Sequence, residues 1–210
     1  MGNGNKVEFL VAICALVSSL AAVFIAWDQA RVMRAQQHGA VYPVLQTEGF
    51  VSNRAGQRQI GLRISNSGVG PAILESVRLM QADTGLEITD LTDFISRLPD
   101  NNDISWSGLA GRAIAPGETV EPLVISWPMA TSDELEIAGA MTQSANWQLE
   151  ICYCSVFARC WQTSEIGVSR AERVADCTPR DEDVFAALGE TMLSSARDET
   201  LGDGNTEPAE

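Results

Sequence analysis

Four cysteines crowd the second half of the chain: Cys152, Cys154, Cys160 and Cys177, spaced C-x-C-x5-C-x16-C. Thiols can pair, ligate a soft metal, exchange electrons or simply fill space, and spacing weighs these against one another. Cys152 and Cys154 stand two apart in WQLEICYC, which reads as a strand. They would share a face, which disfavours a bond between them. A Cys154–Cys160 bridge would staple the hairpin around SVFAR, and Cys152–Cys177 would tie down the following segment. Four cysteines permit three connectivities, and sequence does not choose among them. A tetrathiolate zinc site wants C-x2–4-C pairs, which C-x-C does not supply. Reduced cysteines packed as small hydrophobes in a cytoplasmic body are the third reading. A redox-active thiol is a variant: C-x-C is not C-x-x-C, and Arg159 beside Cys160 is the one nearby cation that could lower a thiol pKa. The expectation is two disulfides, with no catalytic residue, metal or cofactor assigned. Cys14 lies in an apolar run behind Ile13, where a lipoprotein would carry a small residue, and reads as a helix-packing residue.

Other chemistries are removed by residue type. Lys6 is the only lysine and His38 the only histidine. A P-loop, a Schiff-base lysine, a Ser–Lys dyad and two-histidine zinc motifs are therefore absent, and a Ser-His-Asp triad would have to use His38. Trp106, Trp127, Trp147 and Trp161 could form a ligand platform, but core packing is the simpler reading. Asp100-Asn101-Asn102-Asp103 lacks calcium-loop spacing and reads as a turn. Asp181-Glu182-Asp183 reads as the acidic first turn of a helix rather than a catalytic pair. Gly68 and Gly70 lack the third glycine of a dinucleotide loop, and strand-like AILESV follows them. They read as a structural turn over Asn66, Gly68, Gly70 and Pro71 that needs positive φ.

The elements that must position these residues read mainly as β. Residues 41–51 form a strand, SNRAGQ a turn, and RQIGLRIS alternates with Ile60, Leu62 and Ile64 on one face. AILESVRLMQA is a further strand. In residues 86–99, Leu91, Phe94, Ile95 and Leu98 fit a short helix. ISWSGL suggests an edge strand, Ala115-Pro116-Gly117-Glu118 a turn, and Pro122 within TVEPLVISW an edge position or a bulge. Ser132-Asp133-Glu134 opens a helix, and DEDVFAALGETMLSSA is an amphipathic helix. Six or seven short strands with turn residues between them predict an immunoglobulin-like β-sandwich, with one or two helical insertions and a C-terminal helix.

Residues 9–27 (FLVAICALVSSLAAVFIAW) carry no charge. Their ~28 Å of helix matches one hydrocarbon core and predicts a transmembrane anchor. A signal peptide is the rival, but cleavage after Ala21 would leave an apolar new terminus. Residues 28–39 extend the helix, with Arg31 and Arg34 placed for the headgroup level. Residues 1–8 form a tail, 40–194 the sandwich domain, and 195–210 an acidic tail expected to be disordered. Charges flanking the anchor tie, so topology rests on the disulfides, which place the body outside the cytoplasm. Residues 28–210 hold 27 acids and 13 arginines, a balance that disfavours nucleic acid.

The anchor, the Tyr42-Pro43 pair, the N-x-G-x-G-P-A turn at residues 66–72 and the CYCS-x4-CW segment at 152–161 together resemble a widespread group of uncharacterised bacterial single-pass membrane proteins. The resemblance covers about half of the chain and implies no activity. The functional expectation is a non-catalytic interaction or structural module of the bacterial envelope. It would be held in the inner-membrane bilayer by its helix, with a periplasmic body and a protein partner of unknown identity. The alternatives are a thiol-dependent redox enzyme or sensor using Cys152, Cys154 or Cys160, and a cytoplasm-facing tethered domain.

Overall fold

The computed structural model describes residues 4–130, 134–164, 166–167 and 170–202. The chain divides into two compact units, residues 1–41 and 42–210. The first is α1 (Gly4–Ala40), an unbroken helix of 37 residues. At 1.5 Å per residue it is about 56 Å long, well beyond one hydrocarbon core. Its Val7–Ala40 portion is long and apolar enough to cross a membrane. Ser18 and Ser19 donate to the carbonyls of Cys14 and Ala15, so their hydroxyls are satisfied within the helix.

The second unit is a sandwich of two antiparallel sheets. One contains β1 (Leu45–Arg54), β2 (Gln57–Asn66), β7 (Thr119–Pro128) and β5 (Asp103–Trp106), in that order. The other runs β10 (Glu172–Val174), β9 (Cys160–Thr163), β8 (Trp147–Cys154), β3 (Ala72–Gln81) and β4 (Glu87–Ile88), and the short β6 (Ala113–Ile114) also pairs with β3. Reading β1, β2, β3, β5, β7, β8 and β9 as strands A to G gives sheets ABED and CFG, the constant-type immunoglobulin arrangement. Among the described residues three helices complete the unit: α2 (Thr92–Ser96), α3 (Glu134–Ser144) and α4 (Val184–Gly202).

Alternation explains which faces meet. Ile60, Leu62 and Ile64 of β2 and Leu149, Ile151 and Tyr153 of β8 are buried in one continuous core, joined by Trp127 of β7. The β1–β2 hairpin closes through a two-residue turn in which Ala55 and Gly56 take φ of 53° and 78°. Those angles match the right-handed twist of the strands. Pro122 makes a bulge: the register between β2 and β7 shifts where Leu62 faces Leu123 and Ile64 faces Val120. β7 lies between β2 and β5, but the β5 ladder ends at Leu123, so Pro122 sits in the bulge and just past the last β5 pair, where its missing N–H breaks no ladder bond.

Other boundaries move. The first strand starts at Leu45 rather than 41, because Tyr42-Pro43 is held by a turn described below. The last helix runs to Gly202, past residue 195 where a disordered tail was expected to begin. The expectation for 203–210 lies outside the described residues, as does that for Ser132 and Asp133. Asp183 is not in the first turn of α4 but caps it. Its Oδ1 accepts from Phe185 N (2.9 Å) and Ala186 N (3.1 Å), while Oδ2 accepts from Leu109 N and Ala110 N, both at 2.7 Å. One buried carboxylate thus fixes the helix start and docks the loop after β5 onto it. Along α4, Gly189 leaves room for the Trp106 indole: a Cβ there would lie 2.9 Å from its Cδ1 and closer still to Nε1.

Candidate functional site

The Asn66 turn is a hub. Asn66 is fully buried, and its side chain makes four hydrogen bonds. Oδ1 accepts from Val44 N (3.2 Å) and Gly68 N (3.0 Å); Nδ2 donates to Gly70 O (2.8 Å) and Ile114 O (2.9 Å). Four strands' ends are tied by one amide. The glycines are required for a different reason from the one expected. Positive φ is found at Gly56, Gly85, Gly111, Gly117 and Gly167, not at Gly68 or Gly70. A Cβ on Gly68 would lie 2.5 Å from Val44 N and 2.7 Å from Pro43 Cα. The turn needs glycine there because the Tyr42-Pro43 segment passes across it, and Val69 N donates to Tyr42 O at 2.9 Å. Pro71 then leads into β3. The motif is structural.

The four cysteines meet on the outer face of the CFG-like sheet. Leu149, Ile151 and Tyr153 of β8 point into the core, so Cys152 and Cys154 point away from it. The structure pairs Cys152 with Cys177 and Cys154 with Cys160. The second pair joins residues directly opposed in the β8–β9 ladder. The two cystines touch: Cys154 Sγ lies 3.7 Å from Cys177 Sγ, and the sulfurs of Cys154, Cys160 and Cys177 all lie within 4.8 Å of one another. Beside them a recess of about 330 Å³ is lined by Cys152, Cys177, Arg78, Arg180, Glu150 and Asp176, among others. Arg78 is paired with Glu150 and Arg180 with Glu87.

Beneath the cystines, on the core side of the same strand, Tyr153 is 1 % exposed. It stacks on Trp161 at 5.9 Å, and Trp161 meets Tyr42 edge-on at 5.0 Å. Burial pushes the Tyr153 phenol from its ordinary 10.0 up to about 12, against a smaller opposing effect of its Leu45 backbone partner. The four tryptophans do not form a platform. Trp127 is buried with Nε1 donating to Pro99 O (3.1 Å), Trp106 packs on Gly189, and Trp147 meets Phe94 edge-on at 4.7 Å. In the Asp100–Asp103 loop, Asn102 donates to Pro99 O, and Asp103 opens β5.

A second recess was not foreseen from sequence. About 590 Å³ in volume, it lies between the sheets where β1 and β2 diverge from α3 and Trp147. Its walls include Ile60, Leu62, Leu123, Ile125, Met141 and Trp147, and among the described residues no wall residue is an acid, a base or a cysteine. The cause is legible in β1. Leu45 and Thr47 are buried on the core side, but the next residues on that side are Gly49, which has no side chain, and Val51, 53 % exposed. Across from them, Gly61 lets the Phe50 ring lie on β2, with the Arg63 guanidinium 4.4 Å from the ring centroid. Glycines within two paired strands, Gly49 and Gly61, were the available signal. β1 is also an edge strand. Beyond an isolated bridge from Thr47 to Gly167, its outer side has no strand partner among the described residues.

Comparison of the chain with protein-family models and with curated proteins yields no match.

Proposed function

We propose that the chain is a membrane-tethered, non-catalytic interaction module of the bacterial envelope. Its sandwich lies on the periplasmic side of the inner membrane and takes up an extended, apolar segment of a protein partner. The observation that carries this reading is the stretch of β1 beyond Thr47 that, among the described residues, has no outer strand partner and lies at the rim of an apolar cleft. An extended segment needs two things: a strand edge to receive its backbone hydrogen bonds, and a pocket for alternate side chains. β1 beyond Thr47 offers the edge, and the 590 Å³ cleft offers the pocket. The described walls, which carry no titratable group, can desolvate an apolar chain. The apolar span of α1 supports the tether, and the paired cysteines support an oxidising compartment.

A photo-crosslinking residue at position 51 of the full chain, expressed in its own membranes, tests the binding site. The expected result is one dominant cross-linked protein that disappears when Met141→Glu is added. Absence of any adduct, or an adduct indifferent to Met141→Glu, overturns the reading. The side of the membrane is tested separately with an impermeant maleimide. Labelling of the body cysteines in spheroplasts only after reduction is expected; labelling only after lysis, without reductant, places the body in the cytoplasm.

A further inference from the structure

The contact between the two cystines plays no part in the binding reading. We propose that Cys152, Cys154, Cys160 and Cys177 form one thiol–disulfide exchange centre, in which two-electron reduction of the outer cystine is passed on by exchange with the inner one and leaves a single new cystine, Cys154–Cys177. The relay does not depend on the cleft.

The geometry sets the order of events. Cys177 is half-buried, whereas Cys152, Cys154 and Cys160 are buried, so Cys177 is the sulfur an external thiolate reaches first. It lies in the stretch between β10 and α4, which has no regular structure, and the recess beside it has room for a small dithiol. Arg78 and Arg180 line that recess together with Glu150 and Asp176, and the two arginines are paired with Glu150 and Glu87. With Cys177 held to Cys152, its sulfur lies beside the Cys154–Cys160 bond rather than along its axis, because it is within 4.8 Å of both sulfurs. Exchange requires approach along that axis. The closed cystine therefore blocks the relay, and opening it frees Cys177 to swing into line from a starting distance of 3.7 Å.

The donor is a dithiol. Its first thiolate attacks Cys177 Sγ; the Cys152–Cys177 bond breaks, and Cys152 leaves as a thiolate and takes up a proton. The donor's second thiolate attacks its own sulfur in the mixed disulfide, expels Cys177 as a thiolate, and departs as an intramolecular disulfide. Cys177 then attacks Cys154 Sγ, forming Cys154–Cys177, while Cys160 leaves with the electron pair and is protonated. The donor has lost two electrons and two protons; the chain has gained two thiols, Cys152 and Cys160, and keeps one cystine.

Single substitutions start the relay without any reductant. In Cys152→Ser the orphaned Cys177 should attack Cys154; in Cys160→Ser the orphaned Cys154 should attack Cys177. The full-length chain, purified in detergent on a Cys14→Ser background, is alkylated and its cystines are mapped by mass spectrometry. Both variants are expected to converge on Cys154–Cys177 in more than half of the molecules, with alkylated Cys160 in the first and alkylated Cys152 in the second. The unsubstituted body treated with one equivalent of dithiothreitol should give the same cystine with both Cys152 and Cys160 alkylated. The proposal is overturned if each variant alkylates only its orphaned residue and leaves the other cystine native, or if the untreated chain carries four free thiols. Either variant alone decides the matter should the other fail to fold.

Discussion

The two ends of the sandwich are built on opposite terms. Around β8 and β9 the outer face is closed by two touching cystines, and the inner face by Tyr153, Trp161 and Tyr42 packed ring on ring. Around β1 and the start of β2, glycine replaces bulk, Val51 and Met141 stay exposed, and a cleft is left between the sheets. Both regions are antiparallel ladders without a register shift, ten pairs long between β1 and β2 and four between β8 and β9. Secondary structure therefore does not separate them; side-chain volume and covalent bonds do. A fold that opens one side must hold its strands elsewhere, and the Asn66 amide and the cystines supply that constraint.

The sharpest way to break the contrast is at Asn66. Asn66→Ala leaves two N–H groups and two carbonyls without partners in a buried turn and should cost about 3–5 kcal/mol, read as a lowered denaturation midpoint. A midpoint within error of the parent would show that the amide does not hold the open side together. Next come the cystines. By loop length, removing Cys152–Cys177 as a double serine variant should cost about 3.5 kcal/mol and removing Cys154–Cys160 about 2. The reverse ranking would mean that hairpin geometry outweighs chain entropy.

Alkaline titration isolates the packed side alone. The Tyr153 phenol is raised in the fold, so the folded state holds its proton more tightly than the unfolded chain does. The stability it confers is complete below pH 10 and is lost as pH rises toward 12, by about 2–3 kcal/mol. Tyr153→Phe should flatten that loss in denaturation curves run across the same range. The smallest effect is expected at the cleft: Val51→Glu, already exposed, should shift stability by no more than about 0.5 kcal/mol while abolishing partner capture. A large loss of stability would mean that the cleft is core.

What the sequence disclosed follows the same division. Alternation in 58–65 and 147–154 and the dense turn at 66–71 announced the sandwich, because a buried face leaves a period of two wherever it occurs. Both disulfide partners were among the pairings that spacing allowed. Close approach was harder to read. Gly68 and Gly189 are glycines because another segment crosses them, and only the fold says which. Asp183 read as an acid of the helix's first turn, since nothing local reveals that residues 109 and 110 arrive at its second oxygen. The cleft left the faintest trace, because an absent side chain breaks no pattern. The shortest strands, β4, β6 and β10, are too brief to show a period at all.

The Asn66 turn also governs how the chain ages. An asparagine followed by serine loses ammonia when the next backbone nitrogen attacks the side-chain carbonyl and closes a succinimide ring. Here the attacking Ser67 N–H is committed to Val44 O at 2.8 Å, and the departing nitrogen is held by the carbonyls of Gly70 and Ile114. Ring closure has to wait for both ends to let go, which is to say for the turn to open. Isoaspartate at position 66 would then accumulate in proportion to the fraction of time the turn stands open, a slow chemical clock written into the residue that ties the strands.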